Sequence, residues 1–191
     1  TLSKNRCEDN EDSVLLRCLN FDRHWQHYYN KPFDIPFDKK LNKIFWRGVS
    51  TGCSDHHSSM RWCPRKVNRF ILVEKWFNKN KNIDVGFSFL HRNWLEKKYK
   101  KYVKGSCSIS RFLAYKYIIS VEGNDKDSGL NWKLNSNSLV LMARPRITSW
   151  LMETTLIPNY HYILLNDDFS NLEEKLNWCN DNQEKCKEII K

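Results

Sequence analysis

From Lys43 onward, short apolar runs alternate with stretches of helical periodicity. The run 43-KIFWRG-48 reads as a strand ending at a glycine, and 83-IDVGFSF-89, 117-YIISVEG-123, 138-SLVLM-142 and 160-YHYILL-165 read as four more. Between the first two, 66-KVNRFILVEKWFNKN-80 places apolar residues at 67, 70, 71, 73, 76 and 77, which is a helical stripe. Helices are also predicted over 92–103, briefly over 108–116, over 129–136 behind Ser128 as cap, over 148–156 before Pro158, and over 171–190. The strands are continuously apolar rather than alternating, the pattern of parallel strands covered by helices on both faces. The predicted fold class is therefore α/β with an open, Rossmann-like parallel sheet. Residues 1–40 are polar and aromatic with Pro32 and Pro36 and read as an irregular arm, leaving 41–191 as the domain.

At 191 residues, with 40% apolar and 14% aromatic content, the chain has ample core material and is not a disordered sequence. No apolar run approaches the ~20 residues that cross a bilayer, and the polar, acidic start TLSKNRCEDNEDS is neither a signal nor a transit peptide. Seven scattered cysteines without a CxxC spacing read as reduced thiols, and none of the 20 asparagines sits in a glycosylation sequon. Both features favour a cytoplasmic setting. The net charge of +10, with 21 of 32 cations lysine, points to an anionic partner or to a lysine-rich solvated surface. A nucleic-acid reading rests on that charge and on the interleaved aromatics of 25-WQHYYN-30 and 97-KKYKKY-102; the diffuse spread of the charge argues against it.

Ligands of open parallel sheets sit beyond the carboxyl ends of the strands. The segment 117–142 has that layout, with a polar loop from Gly123 through Asn124, Asp125, Lys126, Asp127 and Ser128 to Gly129 between two strands. The two glycines permit backbone angles or close approaches that side chains forbid, and the free N–H groups of a helix start suit a diphosphate. Lys126 and Lys133 add positive charge. The loop is neither GxGxxG nor a P-loop, which disfavours a nicotinamide cofactor or an ATPase. Glu122, Asp125 and Asp127 would repel phosphate unless turned away; they suit sugar hydroxyls or, third in order, a divalent cation. The plain alternative is a hydrophilic turn ahead of a capped helix. A second constellation is 46-WRGVSTGCSDHHSSMR-61, in which Arg47 at a strand end could grip a phosphate with two prongs or form a structural ion pair. Cys53, His56, His57 and Cys63 match no standard zinc spacing, so no metal site is expected.

The runs 115-YKYIISVEGNDKDSGLNWKLNSNSLVLM-142 and 149-SWLMETTLIPNYHYILLNDDFSNLEEKLNWC-179 closely resemble glycosyltransferase family 90. That family includes capsule-associated xylosyltransferases, Rumi-type protein O-glucosyltransferases and bacterial lipopolysaccharide-modifying proteins. Upstream, 43-KIFWRGVSTG-52 looks like its aromatic-Arg-Gly-Ser-x-Thr element, 68-NRFILVEKW-76 and 84-DVGFS-88 sit where relatives carry similar segments, and the Ser-Trp-x-Met-Glu form at 149–153 resembles the bacterial, algal and large-DNA-virus branch. The resemblance implies the C-terminal, donor-binding half of a GT-B enzyme over 41–191, with 1–40 an arm or remnant of the acceptor domain. It implies an inverting transfer of xylose, glucose or a similar sugar from a UDP-sugar to a glycan or protein hydroxyl, with no cofactor required. Arg47 would stabilise the leaving group. Gly48, Thr51, Gly123, Asn124, Ser128, Gly129, Lys133 and Glu153 would join it in holding the donor.

The sequence departs from the family pattern in two places. Leu130 and Asn131 stand where many relatives carry a cation, so Lys126 or Lys133 would substitute. The family's catalytic Asp lies in the N-terminal domain, but only about 45 residues precede the Arg-Gly element here: either the chain is a minimal or truncated one, or an acid of the arm or loop, Asp22, Asp34, Asp38 or Asp55, takes over as base. The alternative function is a non-catalytic nucleotide-sugar or glycan-binding domain.

Overall fold

A computed structural model of the chain describes residues 2–3, 5–7, 14–15, 34–52 and 69–190. Its centre is a five-stranded sheet formed by β4 (Leu41–Gly48), β5 (Ile83–Phe87), β6 (Tyr115–Ile119), β7 (Leu139–Met142) and β9 (Ile163–Leu164). The order is β5-β4-β6-β7-β9 and every pairing is parallel. All five strands fall within or overlap the five apolar runs. Both faces are buried: Ile44, Trp46, Tyr117, Ile119, Leu139 and Leu141 enter the main core, while Phe45 and Ile118 pack with Phe112, Tyr115 and Trp132 in a second cluster on the other side. This two-sided burial is why the strands show no alternation. Because β5 and β6 flank β4 on opposite sides, the connections reverse direction between β4 and β6, the topological switch point of an open α/β sheet.

Helix α1 (Arg69–Trp76) buries Phe70, Leu72 and Val73 in the main core and ends as Asn78 turns left-handed at φ 54°. The 92–103 segment is an α turn, α2 (Glu96–Tyr99), between two 3₁₀ turns. Helix α3 (Ile109–Leu113) is capped by Ser108, whose hydroxyl accepts from Arg111 N at 3.3 Å. Helix α4 covers Leu130–Leu134. The long C-terminal helix is in fact two, α5 (Leu172–Asp181) and α6 (Gln183–Ile190). At the break, Asn182 donates to the Trp178 carbonyl at 2.8 Å, and Gln183 reaches the Tyr117 hydroxyl at 2.6 Å.

The helix expected over 148–156 is absent. Ile147–Ser149 forms strand β8, antiparallel to β2 (Asn5–Cys7), and a 3₁₀ turn spans Glu153–Thr155. Met152 sits at φ 55°, a left-handed angle no helix interior accommodates, and the Ser149 amide and hydroxyl both donate to the Glu153 carboxylate at 2.7 Å. The amino-terminal stretch is likewise not wholly irregular, since β1 (Leu2–Ser3) pairs in parallel with β3 (Val14–Leu15). Among the described residues no helix is long and apolar enough to cross a membrane.

Candidate active site

The loops leaving β4 and β6 meet at the switch point. Gly52 N donates to Asn124 Oδ1 at 2.9 Å, and a Cβ on Gly123 would lie 2.9 Å from Thr51 Oγ1 and 3.0 Å from Arg69 Cζ. Gly123 is therefore there for close approach, not for a special backbone angle. Gly129 is similar, because a Cβ there would meet the Trp132 ring nitrogen at 2.9 Å. Arg69, the first residue of α1, ties the loops together. Its Nη1 donates to Val49 O at 2.9 Å and to Thr51 Oγ1 at 2.8 Å, while Nη2 and Nε reach Val121 O at 3.2 and 3.4 Å. Burial pulls the Arg69 pKa down and the Asp127 carboxylate opposes that shift; an arginine remains protonated throughout.

Asp127 organises the base of the β6 loop. Its Oδ2 accepts from Ser120 Oγ at 2.7 Å and from the Lys133 ammonium, and its Oδ1 accepts from Gly129 N at 2.9 Å. This corrects the expectation for Ser128. The residue before α4 is Gly129 and no side chain caps the helix; the Asp127 carboxylate accepts from Gly129 N just ahead of it, and the Asp127 carbonyl accepts from Leu130 N at 3.1 Å. Lys133 correspondingly points back under the loop, with its ammonium on Asp127 and 3.4 Å from Ile119 O. Burial alone would push the Asp127 carboxyl up, but Lys133, Arg69 and the Ser120 hydroxyl more than reverse it and hold the group below the ordinary carboxylate range. A depressed folded-state pKa stabilises the fold above the unfolded value of about 4 and loses that contribution as the pH falls through the folded value. The stability gap between the parent and Asp127→Asn is thus expected to be widest near pH 7 and to close below about pH 4, as denaturation midpoints at the two pH values would report.

Beyond β6 and β7 a narrow cleft, with a cavity volume of only about 20 Å³, lies between this loop and the 143–153 segment. Lys126 and Glu153 form an ion pair across it at 3.0 Å, with side chains only 4% and 2% exposed. Glu122 accepts from the amides of Arg146 and Ile147, both at 3.0 Å, and so anchors the segment that follows β7. Arg146 pairs with Asp167. Arg144, exposed on the cleft wall, has no carboxylate partner among the described residues. Tyr162 packs beneath Leu130 and Met142, fully buried, and its hydroxyl finds no partner among the described residues. Removing an unsatisfied buried hydroxyl is close to neutral or stabilising by up to ~1 kcal/mol, so Tyr162→Phe should leave the melting temperature unchanged or slightly raised. A clear drop would mean that the hydroxyl is bonded.

The structure thus brings Gly48, Thr51, Gly123 and Asn124 together at the strand ends, with Gly129 and Lys133 beneath the loop and Glu153 in the cleft wall. Arg47 is turned elsewhere. Its Nη2 pairs with Asp84 Oδ1 on β5 at 2.7 Å, and its Nη1 donates to Trp46 O and Asp84 O at 2.8 and 3.1 Å. Burial raises the Asp84 carboxyl, but Lys104 and Arg47 bring it below its ordinary value. Asp34 and Asp38 are also far from the cleft. Asp34 pairs with buried Lys40 at 2.6 Å and accepts from Asn137 N at 2.6 Å, and Asp38 pairs with Lys187 at 3.0 Å. Lys40 and Asn137 precede β4 and β7, which puts Asp34 at the amino-terminal rim of the sheet. Asp22, Asp55, Cys53, His56, His57 and Cys63 lie outside the described residues. Among the described residues no three His, Cys, Asp or Glu side chains group as a metal site.

A five-stranded parallel sheet with two glycine-bearing loops at its switch point is a Rossmann-like α/β arrangement, and the sequence comparisons name the family. The model of glycosyl transferase family 90 matches residues 21–191, and the chain belongs to that family. It is 34% identical to O-glucosyltransferase LpsA of Dichelobacter nodosus over 184 residues, which is 96% of this chain and 50% of that protein. It is 29% identical to protein O-glucosyltransferase 2 of Danio rerio over 157 residues, 80% of this chain and 28% of that protein. A protein of Invertebrate iridescent virus 6 is 29% identical over 206 residues, 95% of this chain and 17% of its own length. The chain therefore spans half or less of the length of these relatives.

Proposed function

We propose that residues 41–191 are the donor-binding half of a GT-B glycosyltransferase, that 1–40 are an arm or the remnant of an acceptor domain, and that the cleft holds a UDP-sugar. In this reading the acceptor hydroxyl, on a glycan or protein, attacks the anomeric carbon as the bond to the diphosphate breaks. The proton goes to a base and the negative charge to the departing diphosphate, with inversion at the sugar carbon. The observation that carries the reading is the meeting of the two glycine loops at the switch point, under Arg69 and beside a cleft walled by Lys126, Glu153 and Arg144. Two of the relatives are O-glucosyltransferases, which supports sugar transfer and favours glucose over xylose. With Arg47 paired to Asp84, Arg144 is the cation we assign to the leaving diphosphate, whose charge grows in the transition state.

A second reading, a domain that binds the nucleotide sugar without transferring it, is favoured by one observation: neither Asp34 nor Asp38 reaches the cleft. One set of measurements separates the two. A thermal-shift panel of UDP, UDP-glucose, UDP-xylose and the corresponding adenosine and guanosine compounds should single out the uridine series, since a ligand at 100 times its Kd stabilises by about 2.7 kcal/mol. Donor hydrolysis or transfer then distinguishes enzyme from binder. If the chain turns over, Arg144→Ala should lower kcat by the equivalent of about 2–4 kcal/mol while leaving the melting temperature unchanged, because the side chain is exposed. A variant that transfers sugar at the parent rate would remove Arg144 from the site.

A further inference from the structure

A second concavity lies on the opposite rim of the sheet from the cleft. Lys43, Phe45 and Arg47 share one face of β4, with Asp84 of β5 opposite Phe45. Helix α3 covers this face over β6, where Phe112 meets Phe45 at 4.9 Å. Toward β5 the covering stops, and a cavity of about 490 Å³ opens. Four cations line it, Lys43, Lys81, Lys104 and Arg111, against one carboxylate, Asp84. That carboxylate is already bonded by Arg47 and Lys104, each at 2.7 Å. Lys43, Lys81 and Arg111 have no carboxylate partner among the described residues. They come from a strand, the turn before β5 and α3, and the fold holds these like charges together around one hollow. Such a cluster concentrates anions.

We propose that this groove is a second binding site, for an oligosaccharide that carries phosphate groups. Its volume falls in the range of small-ligand sites, about 300–1,000 Å³. The remaining lining decides between anions. A lipid surface needs apolar side chains beside the cations, but Ile83 and Tyr115 are only 2% and 3% exposed. A nucleic-acid strand needs free aromatic faces, but the Tyr115 ring is stacked on Phe45 at 4.3 Å with Arg111 over it at 5.5 Å. An acidic peptide adding to the sheet needs an open edge, but Val103 bridges to Phe87 on β5, and Lys104 N donates to Phe87 O at 2.9 Å. What the groove does offer is ammonium and guanidinium groups for phosphate, and the exposed Asn78 for hydroxyls. Asn80 is already held by Glu173 at 2.7 Å. Because the groove lies by the amino ends of the strands and the cleft by their carboxyl ends, the groove holds a glycan without being the place of transfer. It stands whether or not the donor reading does.

The test is calorimetric titration of the chain with a phosphomannan pentasaccharide, and with the same sugar after phosphatase treatment. The variants are Lys81→Glu and Arg111→Glu, both at exposed positions. Binding of the phosphorylated sugar is expected, weakened at least tenfold by removing its phosphate and at least tenfold by either substitution, with melting temperatures and UDP binding unchanged. The proposal is overturned if the phosphorylated sugar does not bind, if both sugars bind equally, if both variants bind like the parent, or if an oligothymidylate or phosphatidylglycerol vesicles bind more tightly. A chain that binds the phosphorylated sugar as described but no uridine nucleotide would sink the donor reading and leave the groove standing.

Discussion

Replacing Arg69 with alanine is expected to be among the most damaging single changes in the domain. The side chain donates to Val49 O, Thr51 Oγ1 and Val121 O at once, and it lies within electrostatic reach of the Asp127 carboxylate. Its loss leaves the Val49 and Val121 carbonyls without their guanidinium donor and takes a positive charge from beside the buried Asp127 carboxylate, which costs about 3–5 kcal/mol, a large share of the roughly 5–15 kcal/mol that holds a domain folded. Arg69→Lys keeps the charge but not the fork, and one ammonium cannot span both loops. It should lie between alanine and the parent, at about 1.5–3 kcal/mol. Urea denaturation would show the midpoint falling with an unchanged slope. If Arg69→Lys still folds at working temperature, its donor affinity should fall further than its stability alone explains, because the loops it spaces form the binding surface. A lysine variant with parent-like midpoint and donor affinity would mean that the two loops hold their spacing without it.

The second large effect is expected at the buried pair Lys126–Glu153. Lys126→Met removes one charge and leaves Glu153 inside the cleft wall with, among the described residues, the Ser149 amide and hydroxyl as its remaining partners, for a loss of about 3–5 kcal/mol. Adding Glu153→Gln removes the stranded charge while keeping an acceptor for Ser149. The double variant should therefore be more stable than Lys126→Met alone, and the two changes should be strongly non-additive. Thermal unfolding of the parent, both singles and the double closes the cycle. If the double is simply the sum of the singles, the ion pair has no net coupling.

The strands were legible because burial on both faces makes each a continuous apolar run, and a run of that length is a local signal. The loop at 123–129 was legible for the same reason, as a polar interruption between two such runs. What could not be read was long-range pairing. Arg47 at a strand end looks the same whether it faces a ligand or Asp84 on the neighbouring strand, and only the sheet register decides. Arg69 lay inside the predicted helical stripe of 66–80 and gave no sign of the loops it would reach; only the structure shows it as the first residue of the helix. Ser128 matched the residue type of a cap, but the cap position falls one residue later, at Gly129, without a side-chain cap, and the bonds of the turn run through Asp127, whose carboxylate serves Gly129 N, Ser120 and Lys133. At 148–156 the pattern was helical, yet Ser149 gave its amide to the Glu153 carboxylate, and Met152 turned left-handed.

The most direct test of the account is a crystal structure of the chain with UDP bound. The diphosphate should lie at the carboxyl ends of β4 and β6, against the loops of Thr51–Gly52 and Gly123–Gly129, with the Arg144 guanidinium within hydrogen-bonding distance of a phosphate oxygen. UDP found instead in the groove of Lys81 and Arg111, or anywhere away from the switch point, would contradict the assignment of the cleft.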